Sequence, residues 1–306
     1  AFSNNTMPSL TERLENLKRL KRAILKYQDQ FLDAIDRLRE HHAFRIFTGP
    51  GPELSEVSYR ELFGHVKDTV GAFRVLGLER GERAAILSEN RFEWALTDYA
   101  CLFEGVWNVP IHSVLTAEQI RYIVQDSGIR VLFASSAEQV AKARSACASS
   151  SYEVQIVTFD PLAPLPEGVL AWDHLVAEGR VRMQGVSDES LRASALQTKP
   201  DQVATMLYTS GTTGNPKGVV LTHRNLFSNV EAASLAFRIE PTDSTLSFLP
   251  LSHIFERTAD YVFLSRGCTI SYAHSKDTLA VDLRTVRPTM VGAVPRVYEK
   301  AYGAAG

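Results

Sequence analysis

Tyr208-Thr-Ser-Gly-Thr-Thr-Gly-Asn-Pro-Lys-Gly218 packs three glycines, four Thr/Ser hydroxyls and one lysine into eleven residues without an acidic group. Gly211, Gly214 and Gly218 let the backbone turn and bring its N–H groups close to a ligand, Thr209, Ser210, Thr212 and Thr213 add hydroxyl donors, and Lys217 adds a positive charge. A hairpin turn needs far fewer donors. The composition suits an anion with several oxygens, which points to a nucleotide phosphate.

The loop is not a Walker A loop, GxxxxGK[ST]. Counting from Gly211 puts Pro216 where the second glycine belongs and Gly218 where the Ser or Thr belongs. The residues that follow, Gly218-Val-Val-Leu-Thr222, are β-branched and apolar, whereas a Walker loop runs straight into a helix. Strand, loop, strand is the local expectation, with Thr205 to Tyr208 before the loop and Val219 to Thr222 after it.

Upstream of the loop, apolar runs alternate with helical patterns. Strands are expected at Ala84–Leu87, Val106–Ile111 and Val131–Ala134, and helices at Phe92–Phe103 and Ala117–Gln125. Short, continuously apolar strands separated by helices mark an α/β protein whose parallel sheet is covered on both faces. The turn after Leu87 reads Ser88-Glu89-Asn90-Arg91 and has no glycine, so a GxGxxG dinucleotide site for NAD or FAD is excluded there. Pro161, Pro164 and Pro166, with the mixed polar stretch to Pro200, are read as a connection between lobes. Beyond it come a helix near Asn225–Ala236, a strand at Leu246–Leu249, a helix after His253, and strands at Cys268–Tyr272 and Met290–Val294.

YTSGTTGNPKG resembles the signature loop of the adenylate-forming superfamily, which includes acyl-CoA synthetases, luciferases and the adenylation domains of peptide synthetases. The βαβ series before the loop is similar to the large N-terminal domain of that family. The resemblance implies layered parallel-sheet subdomains with helices on both faces, an ATP phosphate site at Thr209, Ser210, Gly211, Thr212, Thr213, Gly214 and Lys217, and a Mg²⁺ contact at Thr212. Lys217 is placed at the loop's exit. In such enzymes a carboxylate attacks the α-phosphorus and pyrophosphate leaves, so the site must neutralise charge and hold its reactants in place.

A second motif, Leu249-Pro-Leu-Ser-His253-Ile-Phe255-Glu-Arg257, follows a predicted strand, where α/β proteins keep their ligand crevices. By itself a histidine at a strand-to-helix junction reads first as a helix cap. The resemblance instead implies that His253 is a catalytic and substrate-binding residue over the acyl carboxylate, and that Phe255 walls the acyl pocket. LPLSHIFERTADY followed by Val294-Pro-Arg-Val-Tyr-Glu-Lys300 looks most like the long-chain fatty-acyl-CoA synthetase branch. ATP, Mg²⁺ and CoA are the implied cofactor and cosubstrates. The alternatives are adenylation of another acid, aryl or medium-chain, and a non-catalytic nucleotide-binding fragment.

The chain has 306 residues, 45% hydrophobic and 22% charged, with a formal net charge of −2. That length exceeds a single ordinary core, and the near-neutral balance gives no reason to expect a nucleic-acid partner. Three cysteines without CxxC or Cys/His spacing argue against a disulfide framework and a structural zinc, and fit a cytoplasmic setting. No apolar run reaches spanning length. Ser9 to about Arg39 reads as a helix opened by the capping-box spacing of Ser9 and Glu12, and its basic residues Lys18, Arg19, Lys21, Arg22 and Lys26 leave peripheral membrane contact open.

Three regions are therefore expected: a helical segment over 1–48, a first α/β subdomain with its connection over 49–200, and an incomplete second α/β subdomain carrying the phosphate loop over 201–306. The resemblance also implies a small C-terminal domain with a catalytic lysine, which is absent from these residues, so the chain reads as truncated and inactive by itself.

Overall fold

The computed structural model describes residues 38–49, 51–209, 216–297 and 299. The expected helix from Ser9, with its basic face, falls almost wholly outside the described residues. Its last part does not: residues 38–40 form a turn and His42–Phe47 is strand β1. The region over 1–48 is therefore not helical to its end. Phe44 is fully buried, 5.2 Å from the Phe92 ring and 5.7 Å from the Tyr272 ring, and that contact holds β1 in the sheet.

Two sheets organise the chain. The larger has seven strands: β3 (Arg83–Leu87), β4 (Trp107–Ile111), β5 (Val131–Ala134), β6 (Gln155–Thr158), β7 (Val169–Ala171), β8 (Val203–Thr209) and β9 (Lys217–Thr222). Their spatial order is β7-β6-β5-β3-β4-β8-β9, all parallel except β9, which runs antiparallel to β8. The smaller sheet orders β10 (Ser244–Ser247), β11 (Thr269–Tyr272), β1 and β2 (Leu54–Ser58). The expected βαβ series is present, with helices α2 (Phe92–Glu104), α3 (Ala117–Ser127) and α4 (Ala137–Cys147) between its strands.

Burial explains the layers. One face of the large sheet packs Ala85, Leu87, Val109 and Ile111 against Ile120, Ile123 and Val140 of α3 and α4. The other face joins Ala84, Ile86 and Phe133 to Trp94 and Tyr99 of α2, to α1 (Tyr59–Val75), to α8 (Ile254–Arg266), and through them to Phe44 and Ile270 of the small sheet. Helices α1 and α5 (Trp172–Arg182) approach closely at Gly71 and Gly179, where a Cβ on Gly71 would stand 2.2 Å from the Gly179 carbonyl oxygen. Only glycine permits that approach.

The strands do not divide at residue 200. β8 and β9, expected in the second subdomain, hydrogen-bond into the large sheet beside β4, while β1 and β2 belong to the small sheet with β10 and β11. The stretch 161–200 is more than a connection. It carries β7, α5 and α6 (Asp188–Ala195), held by buried Trp172, Leu175 and Leu191. The strand expected at Met290–Val294 reduces to one parallel bridge, Met290 to Thr245. Helices α7 (His223–Ala236) and α9 (Leu279–Val286) complete the described elements. Among the described residues no helix is long and apolar enough to cross a membrane.

Candidate functional site

β8 and β9 form the hairpin that presents the phosphate loop. Thr209 pairs with Lys217 and Tyr208 with Gly218, so the loop leaves from a fixed neck at the C-terminal end of β8. Thr209 and Lys217 are exposed at that neck, while Ser210, Gly211, Thr212, Thr213 and Gly214 lie outside the described residues. The neck is anchored from the side: Tyr208 Oη donates to Asp126 Oδ2 at 2.6 Å, and burial together with that carboxylate raises the phenol pKa.

His253 is the N-cap of α8. Its Nδ1 accepts from the Phe255 backbone N–H at 3.2 Å, which satisfies one of the helix's free donors. The cap role and the implied substrate role are compatible, because an accepting Nδ1 in a neutral ring leaves the proton on Nε2 as a donor. The ring is exposed. His112, directly after β4, feels both His253 and Lys276, and burial first and then these two neighbours lower its pKa. His112, His253 and Lys276 thus lie within electrostatic reach of one another at the strand ends, with Glu89 opposing the effect of the other two on His112, and the lowered pKa keeps His112 neutral. Neither His112 nor Lys276 stands out in the sequence, because nothing in their local spacing marks them.

Phe255 is half exposed and lines a groove of about 680 Å³. Its walls are apolar: Leu221 of β9, Leu226 of α7, Ile254 and Val262 of α8, and Met290 on the bridged segment. Leu221, near the end of β9, and Ile254 and Phe255, which directly follow His253, therefore border the same groove.

Behind the groove sits a buried ion pair. Arg257 is 0% and Asp98 1% exposed. Arg257 Nε donates to Asp98 Oδ2 at 3.0 Å, and a second guanidinium nitrogen binds Oδ1. Asp98 also accepts from Tyr261 Oη at 2.5 Å and Asn108 Nδ2 at 2.6 Å. Burial alone would lower the Arg257 pKa, but the Asp98 charge and Tyr261 outweigh it and raise it. Among the described residues no group of three or more His, Cys, Asp or Glu side chains gathers to hold a metal.

This is an adenylate-forming fold, and the β8–β9 hairpin forms the neck of its Gly- and Thr-rich loop. The chain belongs to the AMP-binding enzyme family, whose model matches residues 33–305. It is 32% identical over 236 residues to "Long chain acyl-CoA synthetase 6, peroxisomal" of Arabidopsis thaliana, covering 74% of this chain and 32% of that protein. It is also 32% identical over 259 residues to "Long-chain-fatty-acid--CoA ligase FadD15" of Mycobacterium tuberculosis, covering 82% of this chain and 41% of that one. The chain thus spans less than half the length of these curated relatives. Among solved structures, a fatty acyl CoA synthetase of Mycobacterium tuberculosis superposes with a TM-score of 0.68 at 22% identity, over 89% of this chain and 49% of the other. Coronafacic acid ligase of Pectobacterium brasiliense does so with a TM-score of 0.74 at 16% identity, over 90% and 51%. At those identities the superpositions establish the fold.

Proposed function

We propose that the full-length protein carrying this chain activates a long-chain fatty acid with ATP and transfers the acyl group to CoA. The carboxylate oxygen forms a bond to the α-phosphorus as the bridging bond to pyrophosphate breaks. The CoA sulfur then bonds to the acyl carbon and AMP leaves. The observation that carries this reading is the shared groove: Leu221 of β9, the strand that exits the loop, and Ile254 and Phe255, which directly follow His253, line one largely apolar cleft. Its size lies within the range of about 300–1,000 Å³ usual for ligand sites. The names of the relatives point to the same class of acid.

In this reading Thr209, Ser210, Thr212 and Thr213, with the loop backbone and Lys217, hold the ATP phosphates, and Thr212 would contact a bound Mg²⁺, which would supply charge neutralisation. His253 donates from Nε2 to the acyl carboxylate region, helped by the positive charge of Lys276 nearby. Phe255 walls the alkyl chain. The setting is cytoplasmic, with peripheral contact to a bilayer through Lys18 to Lys26. Charge reversal at Lys21 and Arg22 that leaves liposome binding unchanged would remove that contact from the account.

The test is ATP–pyrophosphate exchange in the full-length protein with palmitate, benzoate and acetate. Exchange with palmitate alone supports the assignment, and exchange with benzoate alone moves it to the aryl alternative. No exchange with any of the three leaves a nucleotide-binding module.

A further inference from the structure

We propose that Arg257 is a positioning residue that couples occupancy of the acyl groove to the phosphate loop through Thr205. The inference rests on the reading above and adds a pathway to it. Phe255, Thr258, Ala259 and Val262 turn one side of α8 to the groove. Arg257 lies about 200° around the helix from Phe255, and Arg257 with Tyr261, one turn apart, faces the core, where both are buried. A ligand pressing on the groove side of α8 therefore bears on whatever Arg257 holds.

What it holds is the strand that enters the loop. Arg257 Nη1 donates to Thr205 Oγ1 at 2.8 Å, and the same hydroxyl donates to the Asn108 carbonyl oxygen at 2.7 Å. Thr205 is fully buried on β8, four residues before Thr209 at the neck. The planar guanidinium also donates from Nε to Asp98 Oδ2 and to Tyr261 Oη and from its other terminal nitrogen to Asp98 Oδ1, and Asp98 accepts further from Tyr261 and Asn108. A rigid fork with its partners satisfied has little freedom to absorb a displacement of α8. A shift of the helix is passed instead to β8 and its neighbour β4, and so to Thr209 at the neck of the loop. Cationic packing adds to the hold: the Arg257 guanidinium carbon lies 5.8 Å from the Trp94 ring centroid and 5.6 Å from that of Tyr261.

Thr205→Val keeps the shape of the side chain and removes only the hydroxyl, so it leaves the Arg257–Asp98 pair intact. In the full-length protein the affinity for α,β-methylene ATP, which cannot transfer its adenylyl group, is measured with and without saturating palmitate. In the wild type palmitate tightens nucleotide binding at least fivefold, the lower bound of ordinary coupling between sites. In Thr205→Val the ratio falls below twofold while each ligand alone binds within about twofold of wild type, and Thr205→Ser restores the coupling. A purely structural role would lower the folded fraction and leave the ratio unchanged. Equal coupling in wild type and Thr205→Val overturns the relay, as does a wild type that exchanges pyrophosphate with palmitate yet shows a ratio near one. A wild type that binds neither ligand overturns the functional reading and the relay together, and the exchange assay identifies that case.

Discussion

Tyr208 Oη and Asp126 Oδ2, 2.6 Å apart, tie the half-buried penultimate residue of the loop's entry strand to the C-terminal turn of α3. The bond crosses 82 residues of chain and joins the phosphate hairpin to the helical layer on the outer face of the large sheet. Tyr122 meets the same ring edge-on at 6.4 Å.

Tyr208→Phe should keep that ring packing and lose the anchor. A hydrogen bond to a charged acceptor contributes about 1.5–3 kcal/mol, and the expected result is a tenfold or greater rise in the apparent KM for ATP, with the KM for palmitate unchanged. Steady-state exchange on the full-length protein checks it. An unchanged KM for ATP would mean that the neck is held by its ladder bonds alone.

His223 begins α7 and is 2% exposed, with both ring nitrogens buried and without hydrogen-bond partners. Burial first, and then the charges of Arg257 and Arg80, depress its pKa from 6.5 to about 4. Between those values the unfolded chain takes up a proton that the folded chain refuses. Stability is therefore full above pH 6.5 and declines as the pH falls towards 4, by up to about 3 kcal/mol. Urea denaturation of the chain from pH 8 to pH 4 should show that decline, and His223→Phe should flatten it. A His223→Phe curve parallel to wild type would assign the acid sensitivity elsewhere.

Glu256 works in the opposite direction. Burial pushes its carboxyl up from 4.5 to about 7, and Oε2 is buried without a partner. Asp260, one turn on, is raised as well, by burial and then by the Glu256 charge. A raised carboxyl contributes its stability below pH 4.5 and loses it as the pH rises through 7. Glu256→Gln retains an acceptor for the Phe248 backbone N–H, now 3.0 Å from Oε1, and never ionises. It should stabilise the chain by about 1–3 kcal/mol at pH 8 and by nothing measurable at pH 4.5. Equal effects at both pH values would show that packing, not charge, decides this position.

The parts legible in sequence were those whose pattern is local. β5 falls on the expected residues, and β3, α2, β4 and α3 fall within a few residues of theirs, because continuous apolar runs and helical spacing need no partner to be read. β1 and β2 were not legible. LSEVS has one buried side chain, and HAFRIF, which pairs with β2 beside it, joins the sheet through β11, more than 220 residues away. Helix α1 escaped because its apolar stripe is diluted by charge, although Ser58 and Glu61 carry the capping-box spacing that opens it, as do Thr116 with Gln119 and Thr222 with Asn225. The same division runs through the site. The phosphate loop announces itself in eleven consecutive residues, whereas Asp98, Asn108, Thr205 and Arg257 meet only when three layers close on one another.

The outer edge of the large sheet supports a last prediction. Among the described residues β9 pairs only with β8, and its first four residues, Lys217 to Val220, are exposed. Val219 and Val220 are 41% and 45% exposed, and Phe255 and Phe237 at the groove are 50% and 60% exposed. An edge strand with apolar side chains beside an open apolar groove is a template for another chain. The 306-residue chain is therefore expected to self-associate at micromolar concentration, with sedimentation velocity showing species larger than the 34.0 kDa monomer. A lysine on the edge opposes such pairing by forcing a charge into the contact, so Val219→Lys combined with Val220→Lys should shift the distribution towards monomer. A wild-type chain that sediments as one monomeric species at 100 μM would show that β9 is protected by its twist and by Lys217. If the wild type associates and the double variant associates equally, the contact runs through the groove and Phe237→Ser is the substitution that should relieve it.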